Sequence, residues 1–374
     1  MLTKEGCGER LARFREELAR QGIGFAVVSN YRNVYYLSGH LREVELPQFL
    51  VLGPSGKTFL ITDAPPAETT TDETVAYEAY SLDWPISFRG IAQKAVEALK
   101  SVLRGIPPVH RIGVEKDRLS ALFGAVVSGH SPQAEQVDLG PAFYRMRKRK
   151  GPDEIQLIVG CVKAIEAGYA VARAAIHPGA TELDVFKEMH GEIVRHAGYN
   201  LKFEADFACG LRAINGGGTP LRSEILAGDL FIIDIYPSFH GYYGDLCRTF
   251  AASSPTDLQM KAWEIARDAL RIAEEMIRPG IRARDVWKEL RDHIDSYEFV
   301  RGSFNHHAGH GLGLDPQEPP WMIPGSDHVF EAGDVIAVEP GCYAEALQGG
   351  VRLECDYVVR ENGLENLSSF RLEF

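Results

Sequence analysis

Residues 176–189 read IHPGATELDVFKEM, and residues 277–290 read IRPGIRARDVWKEL. Isoleucine, Pro-Gly, Asp-Val and Lys-Glu recur in register, and the two segments start 101 residues apart (277 − 176). Further along, AGDLFIID at 227–234 is matched by AGDVIAVE at 332–339, with an offset of 105 residues (332 − 227). Two matched pairs in the same order, with nearly equal offsets, indicate an internal duplication.

Each copy is predicted to consist of a helix, a Pro-Gly turn, a second helix and a pair of strands, because proline and glycine rarely continue a helix. The repeated strands end in carboxylates, Asp234 in the first copy and Glu339 in the second. A second β-rich run in each copy adds Asp245 or Glu354. We expect each acidic pair to lie opposite one another across its hairpin, so that a pseudo-twofold axis brings four carboxylates together.

Four buried carboxylates cannot all be ionised unless positive charge compensates them. Two divalent cations would supply it, and oxygen-rich ligation with one imidazole suits Mn²⁺, Fe²⁺, Co²⁺ or Zn²⁺. The imidazole is expected from His310, in FNHHAGHGLGL at 304–314. A lone strand-end aspartate usually serves a salt bridge, but the joint arrangement favours metal binding.

Other candidate side chains flank these acids. Strand alternation points Cys355 away from Glu354 but can place Cys247 on the face of Asp245, where core packing is favoured over ligation by the thiolate. The histidines without a partner motif are expected to be structural or solvent-facing: His190, His196, His240 and His307.

The composition is that of an ordinary globular protein: 374 residues, 45% hydrophobic and 25% charged, enough for two domains. The net charge of −12 argues against nucleic acid as a partner. The basic run RMRKRK at 145–150 is expected to be an exposed connection between domains. The six cysteines include no CxxC pair, and neither a signal sequence nor an apolar run of about 20 residues is evident, which favours a cytoplasmic location without a membrane.

The first 146 residues are predicted to form a small α/β domain, followed by a second domain over 147–374. Leu11, Phe14 and Leu18 fall on one face of an opening helix, with a stop near Gly22. A second helix is predicted at 90–103 by the same periodicity. Short β-rich runs predict strands at 24–29, 48–53, 57–63 and 111–116.

These motifs resemble the pita-bread superfamily of creatinase, prolidase, aminopeptidase P and methionine aminopeptidase, and the resemblance covers nearly the whole chain. It implies an α/β N-terminal domain of the creatinase type, at 1–146, and an α+β pita-bread catalytic domain with internal pseudo-twofold duplication, at 147–374. It also implies two divalent metal ions, with Mn²⁺ favoured over Co²⁺, Zn²⁺ or Fe²⁺, and a homodimer.

The same resemblance assigns roles to individual residues. The implied metal ligands are Asp234, Asp245, His310, Glu339 and Glu354, of which Asp245 and Glu354 would bridge both ions. Such a centre supports activation of a bridging water and polarisation of a carbonyl group. Glu339 is the expected proton carrier, and His306 is expected to bind substrate and donate a proton. Further residues expected at the substrate site are Tyr343, Arg352 and Gln317.

Two positions depart from the superfamily's pattern, because Gly217 and Gln317 stand where its peptidases usually have histidine. Glutamine can form hydrogen bonds but cannot shuttle a proton near neutral pH, and the glycine has no side chain to do either. Either substrate or water replaces these histidines in an ordinary peptidase, or the substrate class has changed and the glycines at 216–218 enlarge the pocket.

The leading hypothesis is a dinuclear metallohydrolase that cleaves Xaa-Pro bonds in short peptides, as an aminopeptidase or a dipeptidase. The alternative is a creatinase-like hydrolase of a small amide or amidine, or a lyase, suggested by Gly217 and Gln317. A non-catalytic binding module is disfavoured because all five ligands are present.

Overall fold

The computed structural model describes residues 1–42, 44, 46–83 and 87–374. Within them the chain forms two compact units, Met1–Met146 and Arg147–Phe374. The elements that begin in the first unit are α1 (Lys4–Arg20), β1 (Phe25–Val28), α2 (Tyr31–Ser38), β2 (Phe49–Leu52), β3 (Phe59–Thr62), β4 (Glu73–Ala76), α3 (Phe88–Leu103), β5 (Arg111–Val114), α4 (Ala121–His130), β6 (Glu135–Asp138) and α5 (Gly140–Lys148).

The first unit is built on a mixed six-stranded sheet in the order β4-β3-β2-β1-β5-β6. The two predicted helices and four predicted strands are all found, and Leu11, Phe14 and Leu18 form the buried face of α1. Gly22 follows this helix with φ +65°, a left-handed conformation that suits glycine. The unit is therefore the α/β domain that the sequence predicts.

The second unit contains four long helices and two main sheets. Its elements are α6 (Pro152–Ala175), α7 (Glu182–Ala197), β7 (Ala205–Cys209), β8 (Leu230–Ile235), β9 (Ser238–Phe239), β10 (Tyr242–Tyr243), β11 (Leu246–Ala251), α8 (Asp257–Met276), α9 (Ala283–Asp295), β12 (Gly309–Gly311), β13 (Val335–Val338), β14 (Gly341–Ala344), β15 (Gly349–Arg352), β16 (Cys355–Arg360) and β17 (Gly363–Asn366). Short 3₁₀ turns lie at Gly210–Asn215, Glu298–Val300 and Glu345–Leu347.

The internal duplication is visible in this unit. In each copy a helix pair, α6–α7 or α8–α9, is followed by an antiparallel strand pair, β8–β11 or β13–β16. The repeated isoleucines cap the first helix of each pair: the N–H of Ile176 donates to Ala172 O at 3.0 Å, and that of Ile277 donates to Ala273 O at 2.9 Å. The predicted α+β pita-bread architecture with internal duplication is confirmed.

The basic run at 145–150 is not the exposed connection that its charge suggested. Arg147 and Lys150 are buried, and both pair with the buried carboxylate of Glu318, Lys150 at 2.7 Å. Nη2 of Arg147 also lies 2.5 Å from Oδ2 of Asp315. These cations therefore neutralise acids of the second unit, since a buried charge requires a partner.

One helix of the described residues, α6, is long and apolar enough to cross a membrane, and half of its most apolar window is buried. It contains no uninterrupted apolar run of about 20 residues, because Lys163 and Glu166 lie within it. Its buried residues, including Ile158, Val162 and Ile165, face the interior of the second unit.

Candidate metal centre

The five side chains predicted as ligands lie at strands of the second unit, and all are at most 5% exposed. Asp234 belongs to β8 and His310 to β12. The other three stand beside strand ends: Asp245 precedes β11, Glu339 follows β13 and Glu354 precedes β16. Both copies of the duplication therefore contribute carboxylates to one buried place.

The distances among these atoms suit a shared cation. Nε2 of His310 lies 3.5 Å from Oε1 of Glu339 and 3.7 Å from Oδ2 of Asp245. Donor atoms of Asp245, His310 and Glu354 lie within 4.8 Å of one another, as do those of Asp234, Cys247 and Glu354. Ligands bound to one ion at about 2.1 Å stand about 3.0–3.4 Å from their neighbours, so small movements of these side chains suffice. Glu354 belongs to both groups.

The two hairpins present their acids differently. Asp234 lies opposite Cys247, not opposite Asp245, so the prediction for this pair is wrong by two residues. The β9–β10 hairpin continues the same register, with Phe239 opposite Tyr242, so its turn sets the pairing of Asp234 with Cys247. In the second copy Val338 pairs with Cys355, and the next residues outward are Glu339 and Glu354, as predicted.

Three carboxylate oxygens at the site are buried without a hydrogen-bond partner in the described chain: Asp234 Oδ1, Asp245 Oδ1 and Glu354 Oε2. Glu339 Oε1 is buried as well, and Nδ1 of His307 lies 2.9 Å from it. Buried polar atoms almost always have partners, and an orphaned carboxylate oxygen is especially costly. Orphaned oxygens that converge on one imidazole are the donor set that a divalent cation requires. The residues present therefore fit a metal centre.

The protonation equilibria of the protein alone agree with this fit. Burial raises the pKa of Asp234 to about 7 although Arg352 opposes the shift. Burial and neighbouring carboxylates raise the pKa values of Asp245 and Glu354 well above their ordinary values. Burial also acts upward on Glu339, but the adjacent His307 and other imidazoles outweigh it and lower its pKa to about 2. Without metal, Asp245 and Glu354 therefore favour their neutral forms, because the local cations cannot compensate four ionised carboxylates.

Backbone and guanidinium hydrogen bonds hold the two copies together at the site. The N–H of Glu354 donates to Cys247 O at 3.0 Å, and Nη1 of the buried Arg248 donates to both Cys247 O, at 2.9 Å, and Glu354 O, at 2.5 Å. The N–H of Asp245 donates to Oδ2 of Asp356 at 2.8 Å. Asp356 and Arg248 thus position ligands, a role that appears only once the two strand pairs are packed.

Cys247 lies within the site but remains a thiol. Burial raises its pKa well above the ordinary value, and its Sγ donates to Arg352 O at 3.6 Å. The same side chain packs with Ile232 and Tyr343 in a small apolar cluster. Cys355 belongs instead to the large apolar core. Strand alternation therefore placed both cysteines correctly.

Arg352 is a buried cation beside the carboxylates. Its Nη1 donates to Oδ2 of Asp234 at 2.9 Å and lies 3.8 Å from Oε2 of Glu339. Its Nε and Nη2 are buried without a hydrogen-bond partner among the described residues. Because these donors are unused, the guanidinium can still bind a carbonyl or carboxylate oxygen.

His306 and Tyr343 form a hydrogen-bonded pair at the same site. Nε2 of His306 lies 2.9 Å from the hydroxyl of Tyr343, and Nδ1 lies 2.7 Å from His307 O. A carbonyl only accepts, so Nδ1 carries the proton and Nε2 accepts from the phenol in the neutral ring. Burial lowers the pKa of His306 to about 4, and the ring is neutral at pH 7. Gly350 leaves room for the tyrosine, because a Cβ there would lie 2.3 Å from its Cδ1.

His307 was expected to be structural or solvent-facing, but it reaches the centre. Its Nδ1 lies 2.9 Å from Oε1 of Glu339, and its ring centre lies 5.3 Å from that of His310. The sequence carried no signal for this contact beyond adjacency to His306. The other three histidines of that group lie away from the centre, and two of them stack on aromatic rings: His190 on Phe186 and His240 on Tyr199.

The two positions that depart from the superfamily's pattern have different surroundings. Gln317 is exposed on the segment after β12, beside the buried Glu318. Gly217 has φ +153°, and a Cβ there would lie 2.4 Å from Cβ of Asp206. Asp206 lies directly opposite Asp234 across β7–β8. Sequence reasoning missed Asp206, because its nearness to the site depends on strand register.

Comparison with known proteins places these features in a family. The model of metallopeptidase family M24 matches residues 158–361, and that of the creatinase/prolidase N-terminal domain matches residues 10–149. The first match spans more than half of the chain. This chain belongs to metallopeptidase family M24. As an M24 protein it is a metallohydrolase, and M24 metallopeptidases use divalent metal ions.

Individual relatives of this M24 chain are distant but cover most of its length. An Xaa-Pro dipeptidase of Lactobacillus helveticus is 29% identical over 69% of this chain and 70% of the relative. A creatinase of Bacillus sp. is 27% identical over 98% of this chain and 92% of the relative. The crystal structure of the prolidase from Pyrococcus horikoshii superposes with a TM-score of 0.83 at 23% identity, covering 98% of this chain and 99% of that one. This structural likeness establishes the fold.

Proposed function

We propose that this chain is a dinuclear metal-dependent hydrolase that cleaves Xaa-Pro bonds in short peptides. The observation that carries the proposal is the gathering of four buried carboxylates and one imidazole: Asp245, Glu339 and Glu354 lie beside His310, and Asp234 lies beside Glu354. The family gives the reaction class, hydrolysis, and the Xaa-Pro dipeptidase relative supports the substrate class. We further propose a cytoplasmic homodimer in which residues 147–374 form the catalytic domain.

The residues that would hold the ions are Asp234, Asp245, His310, Glu339 and Glu354, with Mn²⁺ favoured over Co²⁺, Zn²⁺ or Fe²⁺. Two such cations, when bound, lower the pKa of a water molecule and polarise the carbonyl group of the substrate. Four carboxylates balance the charge of two divalent ions, so the occupied centre is close to neutral.

Glu339 is placed to move a proton as well as to bind metal. Its Oε1 faces the imidazoles of His307 and His310, at 2.9 Å and 3.5 Å. Its Oε2 lies on the other side, 3.8 Å from Nη1 of Arg352 and 3.9 Å from Nδ1 of His306. Oε2 can therefore accept the proton of the attacking water and return it to the leaving nitrogen.

The His306–Tyr343 pair would serve the leaving group. Since Nδ1 of His306 is held by a carbonyl oxygen, Nε2 is the atom that exchanges a proton with the phenol. A proton can pass along this pair without leaving a lasting charge in a buried place. The unused donors of Arg352 would bind a carbonyl or carboxylate oxygen of the substrate. Gln317, although exposed, would contribute a hydrogen bond to a longer substrate.

A second candidate is hydrolysis of a small amide or amidine, or a lyase reaction. The observation that favours it is that Gly216 and Gly218 leave side-chain space beside Arg352 and Arg212, although Asp206 fills the space at Gly217. The creatinase relative, aligned over 98% of this chain, supports it as well. In this case the same five residues would hold the ions, and the substrate would not contain proline.

The experiment is metal analysis of the purified protein combined with turnover on a panel. The panel contains Xaa-Pro dipeptides and tripeptides, matched Xaa-Ala peptides, and small amides and amidines, each with Mn²⁺, Co²⁺ or Zn²⁺. We expect about two ions per chain and turnover of Xaa-Pro peptides that exceeds turnover of Xaa-Ala peptides. Intact Xaa-Pro peptides with every metal would refute the peptidase, and turnover of an amide or amidine would then establish the second candidate.

A further inference from the structure

We infer that Asp206 is a substrate-binding carboxylate that takes a positively charged group of the substrate, an ammonium on the acyl side of the scissile bond. The inference deepens the proposed hydrolase and rests on it for the reaction. Asp206 lies directly opposite Asp234 in the antiparallel β7–β8 pair. Directly opposite residues point to the same face of a sheet, so its carboxylate shares the face of a proposed metal ligand.

The space that Asp206 occupies exists because residue 217 has no side chain. A Cβ on Gly217 would lie 2.4 Å from Cβ and 2.8 Å from Cγ of Asp206. These distances are shorter than any ordinary contact, so the two positions cannot both carry side chains on this backbone. A carboxylate on β7 thus takes the place beside the centre where the superfamily resemblance leads one to expect a histidine.

The carboxylate of Asp206 has no cation of its own. Across residues 1–42, 44, 46–83 and 87–374 it takes part in no hydrogen bond and no ion pair, although it is half-buried. The guanidinium beside Gly218 belongs to Arg212, which is already bound to Glu182 and to Thr219 O, both at 3.0 Å. A half-buried acid without a partner is costly, and cationic ligands relieve that cost.

A second, independent observation points to a ligand at the same place. Nη2 of Arg352, buried and without a partner in the described chain, lies 3.5 Å from the position that a Cβ of Gly216 would take. Consecutive glycines thus separate the two unused donors of Arg352, which pairs with Asp234 only through Nη1, from the unpaired carboxylate of Asp206. Two divalent ions balance the charge of the four ligand carboxylates. The free donors of Arg352 and the carboxylate of Asp206 are then available to bind charged or polar groups of the substrate. A substrate with an oxygen for Arg352 and an ammonium for Asp206 satisfies both.

The chemical class is therefore an amine-bearing amide, and two sources are open for its ammonium. One is the free α-amino group of a short peptide, and the other is a lysine side chain preceding the scissile bond. Either would gain a charge-assisted hydrogen bond, which is worth about 10- to 100-fold in affinity. A substrate that carries neither ammonium would not.

The test compares matched substrates on metal-loaded wild type, Asp206→Asn and Glu204→Gln. Glu204 is an exposed acid two residues before Asp206 and serves as the control. The ratio of kcat/KM for alanyl-proline to that for propionyl-proline measures the contribution of the α-ammonium. The ratio for N-acetylated lysyl-proline to N-acetylated norleucyl-proline measures the contribution of a lysine side-chain ammonium. We expect kcat/KM of wild type and Glu204→Gln to favour one ammonium by about 10- to 100-fold, and Asp206→Asn to lower that ratio to about 1–3. An unchanged ratio in a folded Asp206→Asn protein overturns the inference.

Binding separates this inference from the proposed function. If the wild type cleaves no Xaa-Pro substrate, calorimetric affinities of alaninamide and propionamide, and of N-acetyl-lysinamide and N-acetyl-norleucinamide, replace kcat/KM. A preference for an ammonium ligand that is lost in Asp206→Asn then supports the ammonium site while the peptidase assignment fails. Cleavage of Xaa-Pro substrates with no dependence on either ammonium overturns the ammonium site alone. Absence of any ammonium preference in the wild type overturns it in both formats.

Discussion

The hydroxyl of Tyr343 lies 2.9 Å from Nε2 of His306, and the tyrosine side chain packs with Cys247 in a small apolar cluster. Because His307 O holds the proton on Nδ1, the phenol donates to Nε2 of the neutral imidazole. We expect Tyr343→Phe to lower kcat by about 5- to 30-fold with little change in KM, because a buried hydrogen bond of about 1–2 kcal/mol is lost from the proton relay. Tyr357→Phe, which removes a hydroxyl bonded to Glu274 at 2.8 Å, is the control and should leave kcat unchanged. Equal losses in both variants would contradict the relay.

The steric conflict between Asp206 and a side chain at position 217 predicts that substitutions at the two positions have strongly non-additive effects on the free energy of unfolding. Gly217→His alone should lower the free energy of unfolding by about 2–4 kcal/mol, because the new Cβ meets Cβ of Asp206 at 2.4 Å and the backbone has φ +153°. The double variant Asp206→Gly/Gly217→His, which removes that Cβ, should recover at least half of that loss relative to Asp206→Gly alone. Denaturant unfolding of the four proteins in the cycle gives the coupling energy. Additive effects would show that the backbone adapts instead.

We expect that removing the metal reverses the effect of a Glu354 substitution on the free energy of unfolding. Burial raises the pKa of this carboxyl well above its ordinary value, so the ionised form destabilises the metal-free fold. At pH 8 with chelator, Glu354→Gln should therefore be more stable than wild type by about 1–3 kcal/mol. With Mn²⁺ in excess the order should reverse, since the variant lacks a ligand. Thermal unfolding with and without metal measures both, and an unchanged order would count against ligation.

The buried cations of the basic run predict a large loss of stability. Arg147→Met leaves the buried carboxylate of Glu318 and the partly exposed carboxylate of Asp315 with one cation fewer, and we expect a loss of about 3–5 kcal/mol. Lys288→Met breaks an exposed pair with Asp292 and should cost less than about 0.5 kcal/mol. Urea unfolding compares the two. Similar small losses would mean that water reaches the buried pair.

Asp334 predicts how stability depends on pH. Burial raises its pKa from 3.8 to about 6, against the opposing Glu331 N–H and Lys148. An acid with a raised folded pKa loses stability as pH climbs from its unfolded to its folded pKa, here between about 4 and 6, by about 3 kcal/mol in total. Asp334→Asn should thus gain about 3 kcal/mol at pH 7.5 but only about 1 kcal/mol at pH 4.5. Asp327→Asn, with a side chain 95% exposed, should show no such difference.

Much of the fold could be predicted because its signals are local. The apolar stripe of α1 and the repeated IxPG motif each depend on residues a few positions apart. Helices α2 and α4 were not predicted, because α2 is buried on nearly every face and α4 lacks a strong stripe. The buried ion pairs at Arg147 were not predicted either, since their acids follow about 170 residues later.

The candidate site also has features that the sequence could predict and features that it could not. The five proposed ligands lie together because the duplication fixes which strand ends meet. The opposition of Asp234 to Cys247, the approach of His307 to Glu339 and the nearness of Asp206 depend on register and on single side-chain rotations. Periodicity and spacing carry no information at that scale, and the structure supplied it.

The steric conflict between Asp206 and a Cβ at position 217 also limits the order in which substitutions at these two positions could have occurred. If an ancestor carried a side chain at 217, that side chain had to be lost before an aspartate could enter position 206. The reverse order passes through a protein in which both groups claim one volume. A later substitution of Gly217 by histidine would likewise require Asp206 to be replaced by glycine first. The exchange of side chains beside the centre is therefore difficult to reverse in single steps.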